Sequence, residues 1–118
     1  MGEITRENKL NHILTEEWYI CKMMTKIEIL NKLKELKPFL VKEYSVKEIG
    51  LFGSFADESA NENSDIDLLV ELYQPIGWRF FSLEIYLEQI FGRKIDLVTK
   101  NAIRERIKEN ILKQVNFV

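Results

Sequence analysis

Two aspartates, Asp65 and Asp67, stand one residue apart at the start of the apolar run in SDIDLLVEL. Side chains alternate along a β-strand, so in a strand these two carboxylates share one face and Ile66 takes the other. Two residues span roughly 6.6 Å of strand, which lets both carboxylates reach one point. This clustering is unfavourable unless one group keeps its proton or a cation neutralises it. Oxygen ligands favour Mg²⁺ or Mn²⁺, so the pair predicts a divalent metal site.

A third aspartate has similar surroundings further along the chain. Asp96 lies between Ile95 and Leu97 in KIDLV, so a strand here turns its carboxylate away from its apolar neighbours. If this strand lies beside the one that follows Asp65, about 4.8 Å away, Asp96 joins the other two acids. Three acids on two adjacent strands are able to hold a pair of metal ions roughly 3.5–4 Å apart, with room for phosphate oxygens.

The acids in SDID also fit a structural role. Ser64 is able to cap a helix that has Asp67 at its third position. A helix, however, points residues 65 and 67 in nearly opposite directions, and IDLLVEL is short for a helix. Because Asp-x-Asp alone is a weak signal, the two interpretations have to be separated by other residues.

A glycine–serine pair, Gly53 and Ser54, ends the preceding apolar stretch VKEIGLFGS. Glycine at the end of a strand permits a tight turn and a close approach of other groups to the backbone. Ser54 offers a hydroxyl and, if a helix starts there, free backbone N–H groups suited to a phosphate. A plain turn followed by a helix cap is the alternative. The Walker and Rossmann glycine patterns are absent.

The elements that must position these residues are predicted from hydrophobic spacing. A capping box in TKIE predicts a helix over 26–36, which Pro38 breaks or kinks before a further turn or two toward Tyr44. An amphipathic helix is expected in WRFFSLEIYLEQIF, with Gly92 as its C-cap. A last helix is expected over 102–112, capped by Asn101.

Strands are predicted at 46–52, 65–72 and 94–99, with a short terminal strand in QVNFV. The order of elements predicts an α/β (α+β) domain with a three- to four-stranded mixed sheet flanked by helices. Residues 1–23 are expected to be an extension, either helical or disordered, because residues 24–118 contain enough elements to form a domain by themselves.

Composition limits the classes of function. One cysteine and one histidine in 118 residues exclude an internal disulfide and the usual structural zinc sites. No apolar run approaches the roughly 20 residues of a membrane span, and the first residues lack the apolar segment of a signal peptide. Residues 44–92 hold two basic and nine acidic residues, a net charge of −7, which argues against direct nucleic-acid binding. We therefore expect a cytoplasmic protein with no membrane contact.

The combination of Gly53-Ser54, Asp65-Ile66-Asp67 and Asp96 resembles the nucleotidyltransferase superfamily that includes DNA polymerase beta. The short chain and the segments GLFGSFA, SDIDLLVEL and KIDLVT are similar to its minimal branch, whose members include MntA-type antitoxins. The resemblance covers about residues 25–118, and it implies that 24–118 form one nucleotidyltransferase domain with the corresponding fold.

The resemblance also implies a role for each site residue. Asp65 and Asp67 would ligate two Mg²⁺ ions, with Mn²⁺ as an alternative, and Asp96 would ligate the catalytic ion and help to activate the attacking hydroxyl. Gly53 and Ser54 would bind the β- and γ-phosphates of a nucleoside triphosphate, ATP in this interpretation. The implied reaction is in-line attack on the α-phosphorus with release of pyrophosphate.

The implied acceptor is a tyrosine of a HEPN-type RNase toxin, because members of the family are commonly encoded beside one, and AMP transfer would silence it. The chain is short, so a protein partner or a second subunit, as in a homodimer, must complete the substrate cleft. Family members usually continue Gly-Ser-x-Ala with Arg-Gly, whereas this chain has Asp57 and Glu58. An acid there would repel a triphosphate.

That departure leaves two alternatives open. One is an inactive or weakly active antitoxin that neutralises its partner by binding alone. The other is transfer to a small molecule such as an aminoglycoside, which the short chain disfavours. The aromatic residues of the amphipathic helix, Trp78 and Phe81 among them, are expected to be divided between the core and a surface that faces a partner.

Overall fold

A computed structural model of the chain describes residues 24–103 and 105–118. The predicted extension over 1–23 lies outside the described residues. Within them the chain forms three α-helices and four β-strands, in the order helix, strand, strand, helix, strand, helix, strand. These elements are α1 (Lys26–Tyr44), β1 (Val46–Phe52), β2 (Ile66–Leu72), α2 (Arg79–Phe91), β3 (Ile95–Thr99), α3 (Glu105–Gln114) and β4 (Asn116–Phe117).

The four strands form one mixed sheet in the order β3-β2-β1-β4. Strand β2 runs antiparallel to β1 and parallel to β3, and β1 runs antiparallel to β4. This arrangement confirms the predicted α+β fold with a mixed sheet. Because β1 runs against β2 and β3, its C-terminal end lies at the edge where β2 and β3 begin, and residues from three strands meet there.

One face of the sheet carries the hydrophobic core. Helices α1 and α2 pack on it with their buried side chains, and the strands contribute alternating apolar residues. The fully or almost fully buried members are Ile29, Leu33, Leu40, Val46, Ile49, Leu51, Ile66, Leu68, Val70, Leu83, Leu87, Phe91, Ile95 and Leu97. Since Ile66 and Leu68 face this core, the intervening Asp67 lies on the opposite face of β2.

Helix α1 begins with the predicted capping box. The Thr25 hydroxyl accepts a hydrogen bond from the backbone N–H of Glu28 at 3.2 Å, and the Glu28 carboxylate accepts one from the backbone N–H of Thr25 at 2.8 Å. The predicted break at Pro38 is wrong, because α1 runs through it to Tyr44. Proline forgoes one intrahelical bond, but Leu33 and Leu40 on either side are fully buried, and their packing keeps the helix continuous.

The second half of the chain has the predicted order with one correction. Gly92 is the C-cap of α2, in the left-handed conformation at φ 64°, as predicted. Asn101 does not cap the last helix, which begins at Glu105. Instead the Thr99 hydroxyl accepts a hydrogen bond from the backbone N–H of Ala102 at 3.2 Å, which stabilises a 3₁₀ turn over Lys100–Ala102.

A helix that crosses a membrane needs a long apolar stretch. In residues 24–103 and 105–118, no helix is both long enough and apolar enough to cross a bilayer.

Candidate active site

The predicted acidic residues lie at one edge of the sheet. Asp67 is the second residue of β2 and Asp96 the second residue of β3, and the parallel register places them directly opposite each other. Asp65 immediately precedes β2, within the connection from the first strand. Asp65 and Asp67 are half-buried and Asp96 is exposed, so none of the three is enclosed in the core. This end of the sheet therefore presents three acidic groups to solvent, and Asp65, Asp67 and Asp96 are together called the acidic edge.

Asp67 and Asp96 are in contact through their side chains. Neighbouring strands lie about 4.8 Å apart, and two residues that are paired in register have their side chains on the same face. The two carboxyl groups lie within hydrogen-bonding reach of one another, and each also lies in the other's electrostatic field. The prediction that β3 lies beside β2 and brings its aspartate to the pair is thus met for Asp67 and Asp96.

The environment of Asp67 makes its ionised form unfavourable. Partial burial, followed by the charges of Asp96 and Asp65 and the hydrogen bond with Asp96, raises the pKa of the Asp67 carboxyl from 3.8 to about 6. Burial removes water from the charged form, and each neighbouring carboxylate repels it. A cation placed between these groups would relieve both effects, so the site is electrostatically suited to a positive ion.

The three aspartates do not form a single set of metal ligands in this structure. Across the part of the chain that the structure describes, no group of three or more His, Cys, Asp or Glu side chains is arranged to hold a metal ion. Asp65 acts on Asp67 through its charge. Carboxylates that converge without a cation repel one another, which disfavours closer approach. The all-oxygen donor pair of Asp67 and Asp96 does fit Mg²⁺ or Mn²⁺, and Asp65 lies close enough to act on Asp67 through its charge.

Gly53 is required by the position of Asp67. Gly53 follows directly from β1 with φ 75°, a conformation that other residues rarely adopt. A Cβ atom built on Gly53 would lie 2.9 Å from Cγ of Asp67 and closer still to its carboxylate oxygen. The carboxylate of Asp67 therefore occupies the space that any side chain at position 53 would need. This contact joins the glycine–serine turn to the acidic pair.

Ser54 lies in a single 3₁₀ turn, Gly53–Phe55, rather than at the start of an α-helix. The carbonyl oxygen of Gly53 accepts hydrogen bonds from the backbone N–H groups of Ala56 and Asp57, at 3.0 and 3.1 Å. Among the described residues the Ser54 hydroxyl forms no hydrogen bond. The turn thus brings Gly53 against Asp67, while the longer helix that would supply more N–H donors is absent from this segment.

Asp57, which follows the glycine–serine turn, is held within its own loop. Its carboxylate accepts hydrogen bonds from the hydroxyl of Ser59 and, at 3.0 Å, from the backbone N–H of Ser59. The hydroxyl bond, followed by the backbone bond, lowers the pKa of the fully exposed Asp57 carboxyl. Asp57 is therefore ionised at neutral pH and bound to its own loop, while Glu58 beside it has φ 65°.

The aromatic residues of α2 divide as expected. Phe91 is buried in the core, and Phe80 and Tyr86 pack against the core while partly exposed. Trp78 and Phe81 are 84% and 54% exposed, and their rings lie 5.7 Å apart. These two rings form an exposed aromatic pair at the N-terminal end of α2, away from the acids.

The sequence reasoning missed Arg93, which contacts segments on both sides of the acidic edge. Its guanidinium donates hydrogen bonds to the carbonyl oxygens of Glu62 and Ser64 and lies over the ring of Phe55. These partners are about 30 to 40 residues away in the chain, so no pattern of neighbouring residues in the sequence predicts them. A basic residue between a helix C-cap and a strand was the only available signal.

Comparison with known proteins identifies the sequences to which this chain is similar. A family model described as "Nucleotidyltransferase domain" matches residues 33–118. The chain is 38% identical over 97 residues to "Protein adenylyltransferase MntA" of Thermococcus cleftensis, covering 81% of this chain and 98% of that protein. It is 44% identical over 98 residues to "Putative protein adenylyltransferase MJ0128" of Methanocaldococcus jannaschii, covering 81% of this chain and 100% of that protein.

Two solved structures have the same fold. "Structure of putative minimal nucleotidyltransferase" superposes with a TM-score of 0.67 at 27% identity, covering 80% of this chain and 96% of that one. "Crystal structure of the toxin-antitoxin with AMP-PNP" superposes with a TM-score of 0.58 at 21% identity, covering 80% of this chain and 72% of that one. At the lower identity the likeness concerns the fold alone.

Proposed function

Because the chain belongs to the nucleotidyltransferase domain family, in its minimal, MntA-like branch, we propose that this nucleotidyltransferase moves AMP from ATP to a protein hydroxyl. The proposed acceptor is a tyrosine of a HEPN-type RNase toxin, which AMP would silence, so the protein acts as an antitoxin. Residues 24–118 form the catalytic domain, and the reaction takes place in the cytoplasm.

One observation carries the proposal: Asp67 and Asp96 face each other at the start of parallel strands, with Gly53 packed against the Asp67 carboxylate. This contact places the end of β1, which leads to Ser54, next to the two acids. A triphosphate bound along the turn would therefore have its phosphates beside the acidic edge. Relatives of similar length that are named protein adenylyltransferases support AMP as the transferred group.

Each site residue has a proposed part in the reaction. Asp65, Asp67 and Asp96 would hold two Mg²⁺ ions, with Mn²⁺ as an alternative, which when bound neutralise phosphate charge and activate the attacking hydroxyl. Gly53 and Ser54 hold the β- and γ-phosphates. The acceptor oxygen forms a bond to the α-phosphorus while the bond from that phosphorus to the bridging oxygen breaks. Pyrophosphate leaves, and the hydroxyl proton passes to the Asp96 carboxylate.

A protein acceptor fits the surface better than a free small molecule. Asp96 is exposed, and the described chain has no further helical domain over the acidic edge. In this proposal a partner chain, or a second copy of this chain, covers the exposed edge and completes the cleft that excludes water. The exposed pair of Trp78 and Phe81 supports the presence of a protein partner, because large exposed aromatic side chains are typical of interaction surfaces.

The test is transfer of label from α-labelled ATP in the presence of Mg²⁺ and lysate from the source cells. We expect one labelled protein band, with AMP on a tyrosine by mass spectrometry, and no band with Asp67→Asn. Glu71→Gln is the matched control, since Glu71 lies on the same strand but away from the acidic edge, and it should leave the band unchanged. Equal labelling by wild type and Asp67→Asn would contradict the proposed mechanism.

Binding without transfer is the second candidate function. Asp57 favours it, because this acid stands beside the turn proposed to bind the triphosphate. It predicts that Asp67→Asn still inhibits the purified toxin fully, and that no toxin tyrosine is modified by wild type. Inhibition that depends on both ATP and Asp67 would contradict this alternative. Transfer to an aminoglycoside would instead give a labelled small molecule in a turnover assay.

A further inference from the structure

Arg93 lies where three segments of the acidic edge meet. Its Nη1 atom donates hydrogen bonds to the carbonyl oxygens of Glu62 and Ser64, at 2.9 and 2.7 Å. The guanidinium carbon lies 5.4 Å from the centre of the Phe55 ring. Arginine suits such a position because its planar group is able to donate hydrogen bonds in its plane while it stacks on an aromatic face.

Each segment that Arg93 contacts is adjacent to a proposed site residue. Phe55 directly follows Ser54, and Ser64 directly precedes Asp65. Arg93 itself stands three residues before Asp96, on the approach to β3. The one side chain thus connects the turn proposed to bind phosphate with the loop that leads into β2.

Two hydrogen bonds join the loop over residues 61–64 to the Arg93 side chain. Its other hydrogen bonds in the described structure join Asn61, Asn63 and Ser64 to each other. Among the hydrogen bonds that the described residues of this loop form, those from Arg93 join it to a segment about 30 residues away in the chain. A charged donor also makes them stronger than bonds between neutral groups.

We propose that Arg93 is a positioning residue, which fixes the loop before Asp65 against the turn that contains Gly53 and Ser54. It acts through these segments and does not touch the reacting atoms. The proposal rests on the function proposed above, because a fixed distance between turn and loop matters only if phosphates and metal ligands must be held together. Supporting residues of this kind typically contribute 10–100-fold to activity or metal affinity.

The test uses Arg93→Lys and Arg93→Gln in the full chain, with two measurements. Amide hydrogen exchange without nucleotide should increase at residues 54–56 and 61–65 in both variants. Transfer from α-labelled ATP should lose roughly 10–100-fold in kcat, while the KM for the acceptor stays within about twofold. Lysine keeps the charge but has no planar group to stack on the ring, so kcat of Arg93→Lys should lie between the values for wild type and Arg93→Gln.

Arg79 provides a matched control, because its guanidinium carbon lies 5.5 Å from the centre of the Tyr44 ring at the opposite end of α2. Arg79→Lys and Arg79→Gln should leave exchange at both segments and kcat unchanged. Phe55→Leu keeps an apolar group in the core and removes only the ring beneath Arg93. It should raise exchange at 54–56, and it serves as an independent variant if the Arg93 variants fail to fold.

Several results would overturn this assignment. Unchanged exchange at both segments in the Arg93 variants would show that the side chain does not fix them. Full kcat in Arg93→Lys together with loss in Arg93→Gln would show that the charge acts directly on the nucleotide. Absence of transfer by wild type would count against the proposed function, whereas the exchange measurement would still decide whether Arg93 holds the two segments.

Discussion

Replacing Asp67 with asparagine should make the metal-free protein more stable while it abolishes transfer. The Asp67 carboxyl is ionised at pH 8 although its neighbourhood favours the protonated form. Asparagine has nearly the same shape and no charge, and its amide is able to donate a hydrogen bond to Asp96. The substitution therefore removes an unfavourable charge without leaving a cavity.

The size of the effect can be worked out from the raised pKa. A rise from 3.8 to about 6, at about 1.4 kcal/mol per pH unit, gives a ceiling of about 3 kcal/mol. The carboxylate is only half-buried, so water and salt screen the repulsion and a gain of about 1 to 1.5 kcal/mol is more realistic. The free energy of unfolding should rise by that amount in Asp67→Asn at pH 8.

The dependence on pH gives the sign of the effect. Well below pH 3.8 Asp67 is protonated in both the folded and the unfolded chain, so its charge does not lower the free energy of unfolding of wild type. Between about pH 4 and 6 the unfolded chain releases the proton first, so wild-type stability falls as pH rises through the folded pKa of about 6. The advantage of Asp67→Asn should therefore be near zero at pH 3.5 and reach its full size above pH 7.

Urea unfolding in the presence of a chelator, followed by circular dichroism at several pH values, measures this difference. Glu71→Gln is the control on the same strand, because the Glu71 carboxylate lies 3.5 Å from Lys100 Nζ and 3.9 Å from Lys47 Nζ. Removing that charge should lower stability by up to about 1 kcal/mol. If Asp67→Asn is no more stable than wild type at pH 8, the electrostatic reasoning about the site is refuted.

Three further predictions concern the metal, the turn and the first helix. Mg²⁺ at about 100 times its dissociation constant should stabilise wild type by about 2.7 kcal/mol in a thermal melt, and Asp67→Asn by at most about 1.4 kcal/mol if its affinity falls tenfold or more; an equal shift in both would place the ion elsewhere. Gly53→Ala should lower kcat and destabilise the fold by about 1 kcal/mol or more, because φ is 75° and the Asp67 carboxylate fills the Cβ position; wild-type activity and urea midpoint would contradict this. Pro38→Ala should raise the free energy of unfolding by about 1 kcal/mol, because an N–H donor returns to a continuous helix; a lower urea midpoint would oppose it.

The strands and the acidic edge could be predicted from sequence because their signals are local. Alternation in IDLLVEL places Asp67 opposite the core, and the same pattern in KIDLV does so for Asp96. The order of the strands could not be obtained this way, since it depends on which chain segments pair across the sheet. That β1 ends beside the starts of β2 and β3 is visible only in the fold.

The errors arose where tertiary packing outweighs local preference. Pro38 normally ends a helix, yet buried leucines on both sides hold α1 together. Asn101 is a good cap by type, but Thr99 stabilises a 3₁₀ turn first and the helix begins later. Arg93 carries no spacing signal, because its partners come from segments far away in the sequence.

The most direct test of the central idea is a Mn²⁺ titration followed by electron paramagnetic resonance, with a non-hydrolysable ATP analogue present. If the carboxylates of Asp67 and Asp96 together bind the cation, wild type and Glu71→Gln should bind Mn²⁺ with similar affinity. Asp67→Asn and Asp96→Asn should each lose at least roughly tenfold in affinity, because even the loss of an outer-shell partner of a metal ligand typically costs about 10–100-fold. Wild-type affinity in Asp96→Asn would show that the two neighbouring strands do not share a metal ion.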